Sequence, residues 1–423
     1  MNENFLQLVW KYSLFDKEKI IIEGENVEII YPGTLNNDAG PDFFNAKIKF
    51  GNTLWVGNIE IDVKTSNWYL HKHDKNEAFN NVILQIVYIK NKDELYNQKG
   101  IKVPSLKINI NDKILQKYNE LEKSTSWIAC EKDFKKVDDF KLRMWLSGIL
   151  IERLQMKSDY ILKKLKKNKN NWSETFYQVL ASSFGFKVNK EPFEWMANTT
   201  PQKIIAKQKN SFIQVEALFF GQAGFLEEDY EIEYFKELKK EYKFLKQKYK
   251  LKPVEKYLWK FLRLRPSNFP YIRISQFANL VFKSSSLFSI IIENEDIEQI
   301  KKLFIIKASS FWDNHYTFET ESVKKEKKFG KQSIDIILIN TVIPFLYVYG
   351  KSTDNQEIKD RAVSFLEQLK AENNKIMRNW KDLNVNVENA FYSQALIHLK
   401  NEYCNKKRCV NCAIGSEILQ NNK

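Results

Sequence analysis

Hydrophobic and polar positions change their period near residue 110. Before it the spacing is that of strands. Residues 20–30 are β-rich around the turn Gly24-Glu25-Asn26, and residues 43–50 alternate, which predicts Phe44, Ala46, Ile48 and Phe50 on one face. Residues 54–64 read as a long strand, 82–89 as a nearly all-apolar buried strand, and 103–110 alternate again. A leading helix over residues 5–14 turns Leu6, Val9, Trp10 and Tyr12 to Leu14 towards one side. From Asn111 onward the spacing is helical. Residues 140–167 carry the stripe Leu142, Trp145, Leu146, Ile149, Leu150 and Leu154 and end in a Lys-rich turn suited to a helix C-terminus. Residues 230–249, 272–282, 297–304, 331–349 and 355–372 continue in the same style, while the charged segment 319–331 reads as a mobile loop. The predicted fold is α+β: a β-rich head over residues 1–112 and a larger, mostly helical region over 113–423.

Length and composition agree with a folded chain. At 423 residues, 43% of them hydrophobic and 14% aromatic, there is material for more than one core. Lys and Arg number 67 against 53 Asp and Glu, a formal charge of +14 that favours polyanionic partners, nucleic acid first. The N-terminus is amphipathic, without a charged leader or cleavable apolar segment. The longest apolar stretch, 334–348, is interrupted by Asp335, Asn340 and Pro344, so no membrane segment is expected. Four cysteines, three crowded at the C-terminus, make a poor disulfide framework. The expected compartment is cytoplasmic.

Candidate chemistry concentrates in the head. The stretch AGPDFFNAKIKFGNTLWVGNIEIDVKTSNW opens with Gly-Pro-Asp at a strand start and continues into a second strand holding Glu60, Asp62 and Lys64. Residues two apart in a strand share a face, and a hairpin would bring Asp42 beside them. Such charge on a central strand is costly unless something uses it. Phosphodiester hydrolysis would: carboxylates hold Mg²⁺, which polarises the phosphate and activates water, while a Lys steadies the developing charge. His71 and His73 follow at a spacing that shares one face if extended, as at metal sites. Trp68, just before them, suits either a base-stacking role or the core.

The arrangement Pro-Asp, then an acid, one spacer and Lys resembles the PD-(D/E)xK nuclease superfamily. That resemblance implies a restriction-endonuclease-like core in the order helix, three antiparallel strands, helix, strand. It sets Asp42 at the first acid and Asp62-Val63-Lys64 at the acid-x-Lys, with Glu60 as a competing second acid. The departure is the intervening helix, for which only residues 71–80 are available.

Two further clusters stand outside the head. Cys404, Cys409 and Cys412 lie within nine residues beside Lys406, Lys407 and Arg408, and with Cys130 would complete four ligands for Zn²⁺ or a [4Fe–4S] cluster. This set resembles the iron–sulfur staple of some PD-(D/E)xK nucleases, with different spacing. The block LRLRPSNFPYIRISQ sets Arg263, Arg265 and Arg273 about a Pro-Asn-Phe-Pro turn. They are suited to nucleic-acid phosphates or, alternatively, to salt links with acids such as Glu216.

Across its length the chain resembles the bacterial family grouped as domain of unknown function 2851. The resemblance is carried by NDAGPDF, WVGNIEIDVKTSNW, NVILQIV, EALFFGQAGFL, LRLRPSNFPYIRISQ, His315-Tyr316 and the cysteine tail. That family often carries His at the positions of Asp62 and Gln85, which implies Glu60 as the safer acid. The resemblance brings no activity with it. The residues favour a Mg²⁺-dependent nuclease, with a non-catalytic nucleic-acid-binding or scaffold protein, or an enzyme on another anionic substrate, as alternatives.

Overall fold

The computed structural model describes residues 1–16, 20–36, 38–284 and 286–421. Helix α1 (Glu3–Lys11) is capped by the Asn2 side chain accepting from the Phe5 amide. Strands β1 (Ile21–Ile22), β2 (Glu25–Tyr31), β3 (Thr34–Leu35), β4 (Phe43–Phe50), β5 (Thr53–Lys64), β6 (Val82–Ile89) and β7 (Ser105–Lys107) form one mixed sheet. Its order is β1-β2-β4-β5-β6-β7, with β3 also pairing β4. The first strands pair antiparallel, whereas β5–β6 and β6–β7 are parallel. The order implied by the nuclease resemblance is helix, three antiparallel strands, helix, strand; here, among the described residues, five strands, β1–β5, follow α1 before the crossover and two follow it. The crossover contains the four-residue helix α2 (Asn67–Leu70) and two 3₁₀ turns, so it is as short as the sequence predicts. The α+β expectation holds.

One face of the sheet is core. Ile59 and Ile61 of β5 and Leu84 and Ile86 of β6 pack with Phe5, Leu6, Val9 and Trp10 of α1. The predicted face of β4 needs one correction. Phe43 is buried and Phe44 is 36% exposed, because the register shifts between Phe43 and Ala46 where Asn45 takes φ +57°. Trp68 is fully buried with Phe79, Val82, Leu95 and Val103 in a second apolar cluster under the crossover, so it is a core residue and unavailable for stacking on a base.

Two compact units emerge: residues 1–146 with 379–385 and 397–423, and residues 147–378 with 386–396. The boundary expected at residue 112 lies inside the first unit, where α3 (Asp112–Lys123) supplies Ile114, Tyr118 and Leu121 to the same core as Leu419 near the C-terminus. Helix α4 (Asp139–Lys167) runs through the division at residues 146–147.

The second unit is built of helices around a dense aromatic core. Its stretch 319–330 is irregular as expected, but Phe329 is buried there and the Lys327 carbonyl accepts from Gln276 Nε2 at 2.9 Å. The helix expected over residues 331–349 forms as one run, Lys331–Ser352. It passes through a π segment, Leu338–Val342, just ahead of the proline, which accommodates the missing amide. By length and composition this helix could cross a membrane, yet 67% of its apolar window is buried inside the protein, as in a core helix.

Candidate functional site

Strand alternation puts Glu60 and Asp62 on the face of β5 opposite Ile59 and Ile61, and the parallel register sets Gln85 of β6 beside Glu60. All three are buried: Glu60 at 6% exposure, Asp62 and Gln85 at none. Asp42, half-buried at the entry to β4, is brought over by the β4–β5 hairpin. Its Oδ2 accepts from the Ile61 amide at 2.8 Å, its Oδ1 accepts from Gln7 Nε2 of α1 at 2.8 Å, and its own amide donates to Glu60 Oε2 at 3.2 Å. Asp62 Oδ2 accepts from Gln85 Nε2 at 2.7 Å.

The crossover closes the cluster with two imidazoles. His71 Nδ1 lies 3.2 Å from Asp62 Oδ1, and His73 Nε2 lies 3.1 Å from Glu60 Oε1. The backbone is not extended here as the spacing predicted. His71 ends α2, Lys72 adopts φ +61°, and His73 begins a 3₁₀ turn, so a left-handed residue rather than strand alternation turns both rings to the same acids. His73 also stacks on Phe79 with centroids 4.0 Å apart. Ligand atoms of Asp62, His71 and His73 all lie within 4.8 Å of one another, a set able to hold a metal ion.

Three carboxylates buried together compete for protons. Burial first, then the Glu60 charge, push Asp42 up to about 7. Burial and the charge of Asp62 push Glu60 up to about 8. Burial also raises Asp62, against the Gln85 hydrogen bond and the two imidazoles, and holds the His73 ring below its ordinary value. Two atoms at the centre, Asp62 Oδ1 and His73 Nε2, are buried and make no hydrogen bond, their near neighbours being His71 Nδ1 and Glu60 Oε1 at ion-pair distance. Lys64 is the predicted member that does not join: at the exposed end of β5 it makes no hydrogen bond or ion pair with these acids. Conversely, Gln7, Gln85 and Glu3, whose charge acts on Glu60 and Asp62, had no local signal in the sequence.

The four cysteines are all free thiols, and the charges of Cys412, Cys404 and Cys409 act on Cys130. Burial, then the neighbouring sulfurs, push Cys404 and Cys409 up to about 12. Burial likewise raises Cys412, opposed by the amides of Gly415 and Ile414 at the start of helix Ala413–Gln420 and by the Trp145 indole. In the arginine block, Arg263 and Arg265 are exposed and Arg273 is buried. The anticipated salt link to Glu216 is absent: the Glu216 carboxylate is met by the Ser275 hydroxyl, whereas Arg273 binds neutral acceptors.

Residues 3–375 match the family described as protein of unknown function (DUF2851). No curated protein and no solved structure matches the chain.

Proposed function

The chain belongs to the DUF2851 family, and from that premise we propose that its N-terminal unit is a metal-dependent phosphodiesterase acting on DNA or RNA. The observation that carries this reading is the Asp62–His71–His73 set, with two buried ligand atoms that make no hydrogen bond beside two further acids raised towards neutral pH. An unsatisfied buried polar atom costs about 1–3 kcal/mol, and a cation at that point removes the cost. Asp62, His71 and His73 would hold the ion, with Glu60 and Asp42 adjacent. A mixed imidazole and carboxylate set suits Mn²⁺ or Zn²⁺, while the carboxylates alone suit Mg²⁺. Such an ion polarises a phosphoryl oxygen and makes water a better nucleophile.

The chain's own groups do the rest. Asp42 and Glu60, pushed up to about 7 and about 8, can take and return protons near neutral pH. Gln85 and Gln7 fix the orientation of Asp62 and Asp42. Lys64, exposed on the same face of β5, is placed to meet an arriving phosphate, and the +14 charge supports a polyanionic substrate.

The test is cleavage of single- and double-stranded DNA and RNA with Mg²⁺ or Mn²⁺, then with EDTA. The expected result is metal-dependent cutting that Asp42→Ala, Glu60→Ala lowers by about 10³-fold or more. Salt-sensitive binding without cutting would replace the enzyme by a nucleic-acid-binding module. Absence of both would point to a smaller anionic substrate.

The electrostatic influence of Cys412, Cys404 and Cys409 on Cys130 and the free state of all four thiols support a structural Zn²⁺ or [4Fe–4S] site at Cys130, Cys404, Cys409 and Cys412, in a reducing, cytoplasmic setting. Metal analysis and visible absorbance of anaerobically purified protein should show one zinc or a cluster. Cys130→Ser should lose it and lower the melting temperature by several degrees.

A further inference from the structure

The helical unit buries a cation that no opposite charge neutralises. Arg273, in the first turn of helix Pro270–Lys283, is 6% exposed. Its guanidinium lies between the rings of Phe186 and Phe329, 4.8 Å from each centroid. Nη1 donates to Gln276 Oε1 at 3.0 Å, and Nη2 donates to Asn268 Oδ1 at 2.5 Å and Ser333 Oγ at 3.3 Å. These acceptors are all neutral, and Nε is buried with no partner. Burial pushes the guanidinium down to about 10, and among the described residues no carboxylate pairs with it. A buried charge is ordinarily paired, because desolvating it alone is expensive.

A cavity of about 230 Å³ opens beside this side chain, walled by Phe186, Asn189, Asn268, Arg273 and Ser333 among others. At about 30 Å³ for each liquid water, that is room for a tetrahedral oxyanion and part of its hydration. Two helices begin at the cavity: Pro270 opens one, and Gln332 and Ser333 stand in the first turn of Lys331–Ser352. Neither start has a side-chain cap, so their leading N–H groups lack the acceptor that usually satisfies them. Leu264 lines the cavity, and its sequence neighbours Arg263 and Arg265 are exposed.

We propose that this cavity binds a phosphoryl group, with Arg273 as its charged anchor. Donors meet it from three directions: the guanidinium, the side chains of Asn268 and Ser333, and two helix starts. That geometry suits the three free oxygens of a phosphate monoester better than the two of a planar carboxylate. The site lies wholly within the helical unit and does not depend on the phosphodiesterase reading.

The test uses the full chain and four probes: inorganic phosphate, a nucleoside 5′-monophosphate, and one oligonucleotide with and without a 5′-phosphate. Thermal melting and calorimetry should show binding of the phosphorylated probes, weakened at least about ten-fold by Arg273→Gln. Since that variant disturbs packing, Ser333→Asp is the second arm. It sets a carboxylate on the guanidinium in a first helical turn, so it should raise the ligand-free melting temperature and abolish the phosphate-dependent shift. Preference for the nucleotide or for the phosphorylated oligonucleotide over free phosphate identifies the source of the group. The proposal is overturned if none of the phosphorylated probes binds at millimolar concentration, if Ser333→Asp keeps the shift, or if the 5′-phosphate makes no difference to an oligonucleotide that binds. Asp42→Ala, Glu60→Ala should bind the three phosphorylated probes at this site as the parent does, so failure of the metal site and failure of this one are read separately.

Discussion

Each compact unit buries acid, and the two do it differently. In the helical unit Glu216 is fully buried and pushed up to about 7 by burial, while the hydroxyls of Ser275, Tyr234 and Ser309 pull it back. Its surroundings are aromatic core, including Trp312 stacked on Phe220 and Tyr271. In the N-terminal unit Asp42, Glu60 and Asp62 are buried against one another and against imidazoles. Glu216 Oε1 is met by the Ser275 hydroxyl while Oε2 is buried without a hydrogen-bond partner, so this carboxyl bears its burial with no second acid beside it. A carboxyl whose neighbours compete for the same protons costs stability and is retained for something that displaces those protons.

The sharpest way to break this comparison is isosteric neutralisation. Glu60→Gln with Asp62→Asn should weaken Mn²⁺ binding by about 100-fold or more, yet raise the metal-free melting temperature, because the like-charge and desolvation penalties vanish. Glu216→Ala should do the reverse. Metal affinity should stand unchanged, and urea unfolding should show a loss of about 1–3 kcal/mol from hydroxyls left unpaired. A double variant that unfolds more readily than the parent would place the acids of β5 in the same class as Glu216.

A smaller effect separates the two by pH. Asp42 and Glu60 have folded values, about 7 and about 8, above their ordinary values of 3.8 and 4.5. Their stabilising contribution is therefore full below about pH 4 and is lost as pH rises through 7 and 8. Glu216, raised to about 7, contributes with the same sign. Urea midpoints of the metal-free protein should fall over that window. Saturating Mn²⁺ should restore more stability at pH 8.5 than at pH 6, where protons oppose it, and remove only the share of the slope that belongs to the site. A slope untouched by metal would assign it to Glu216. Smallest of all, Lys64→Ala should lower cleavage by about ten-fold or less with no change in Mn²⁺ affinity, since Lys64 touches none of the acids.

Much of the sheet was legible in the residues. Alternation defined 43–50 and a nearly all-apolar run defined 82–89 to the residue, and the period of two set the even positions of β5 on one face. Phe44 was misassigned because a bulge at Asn45 inserts a residue that simple alternation cannot register. Two histidines at one-residue spacing drew attention in the sequence, and the turn at Lys72 that brings them to the same acids carries no helical or strand period. Gln7 escaped notice, and Gln85 was singled out only through the family resemblance, because a glutamine is informative only through its partner, and each partner lies 35 or 23 residues away.

By itself the sequence determined the local matters: which stretches are strand or helix, which face of β5 carries charge, the polyanion-favouring balance, and four thiols in ligand-like spacing. Those follow from period and count, properties of neighbouring residues. Tertiary structure alone decided that Asp42, Glu60 and Asp62 share protons, that the charges of Cys412, Cys404 and Cys409 act on Cys130, and that Arg273 is buried without an acid. Protonation and the cost of burying charge depend on what distant segments bring within a few ångströms, and no local pattern encodes that.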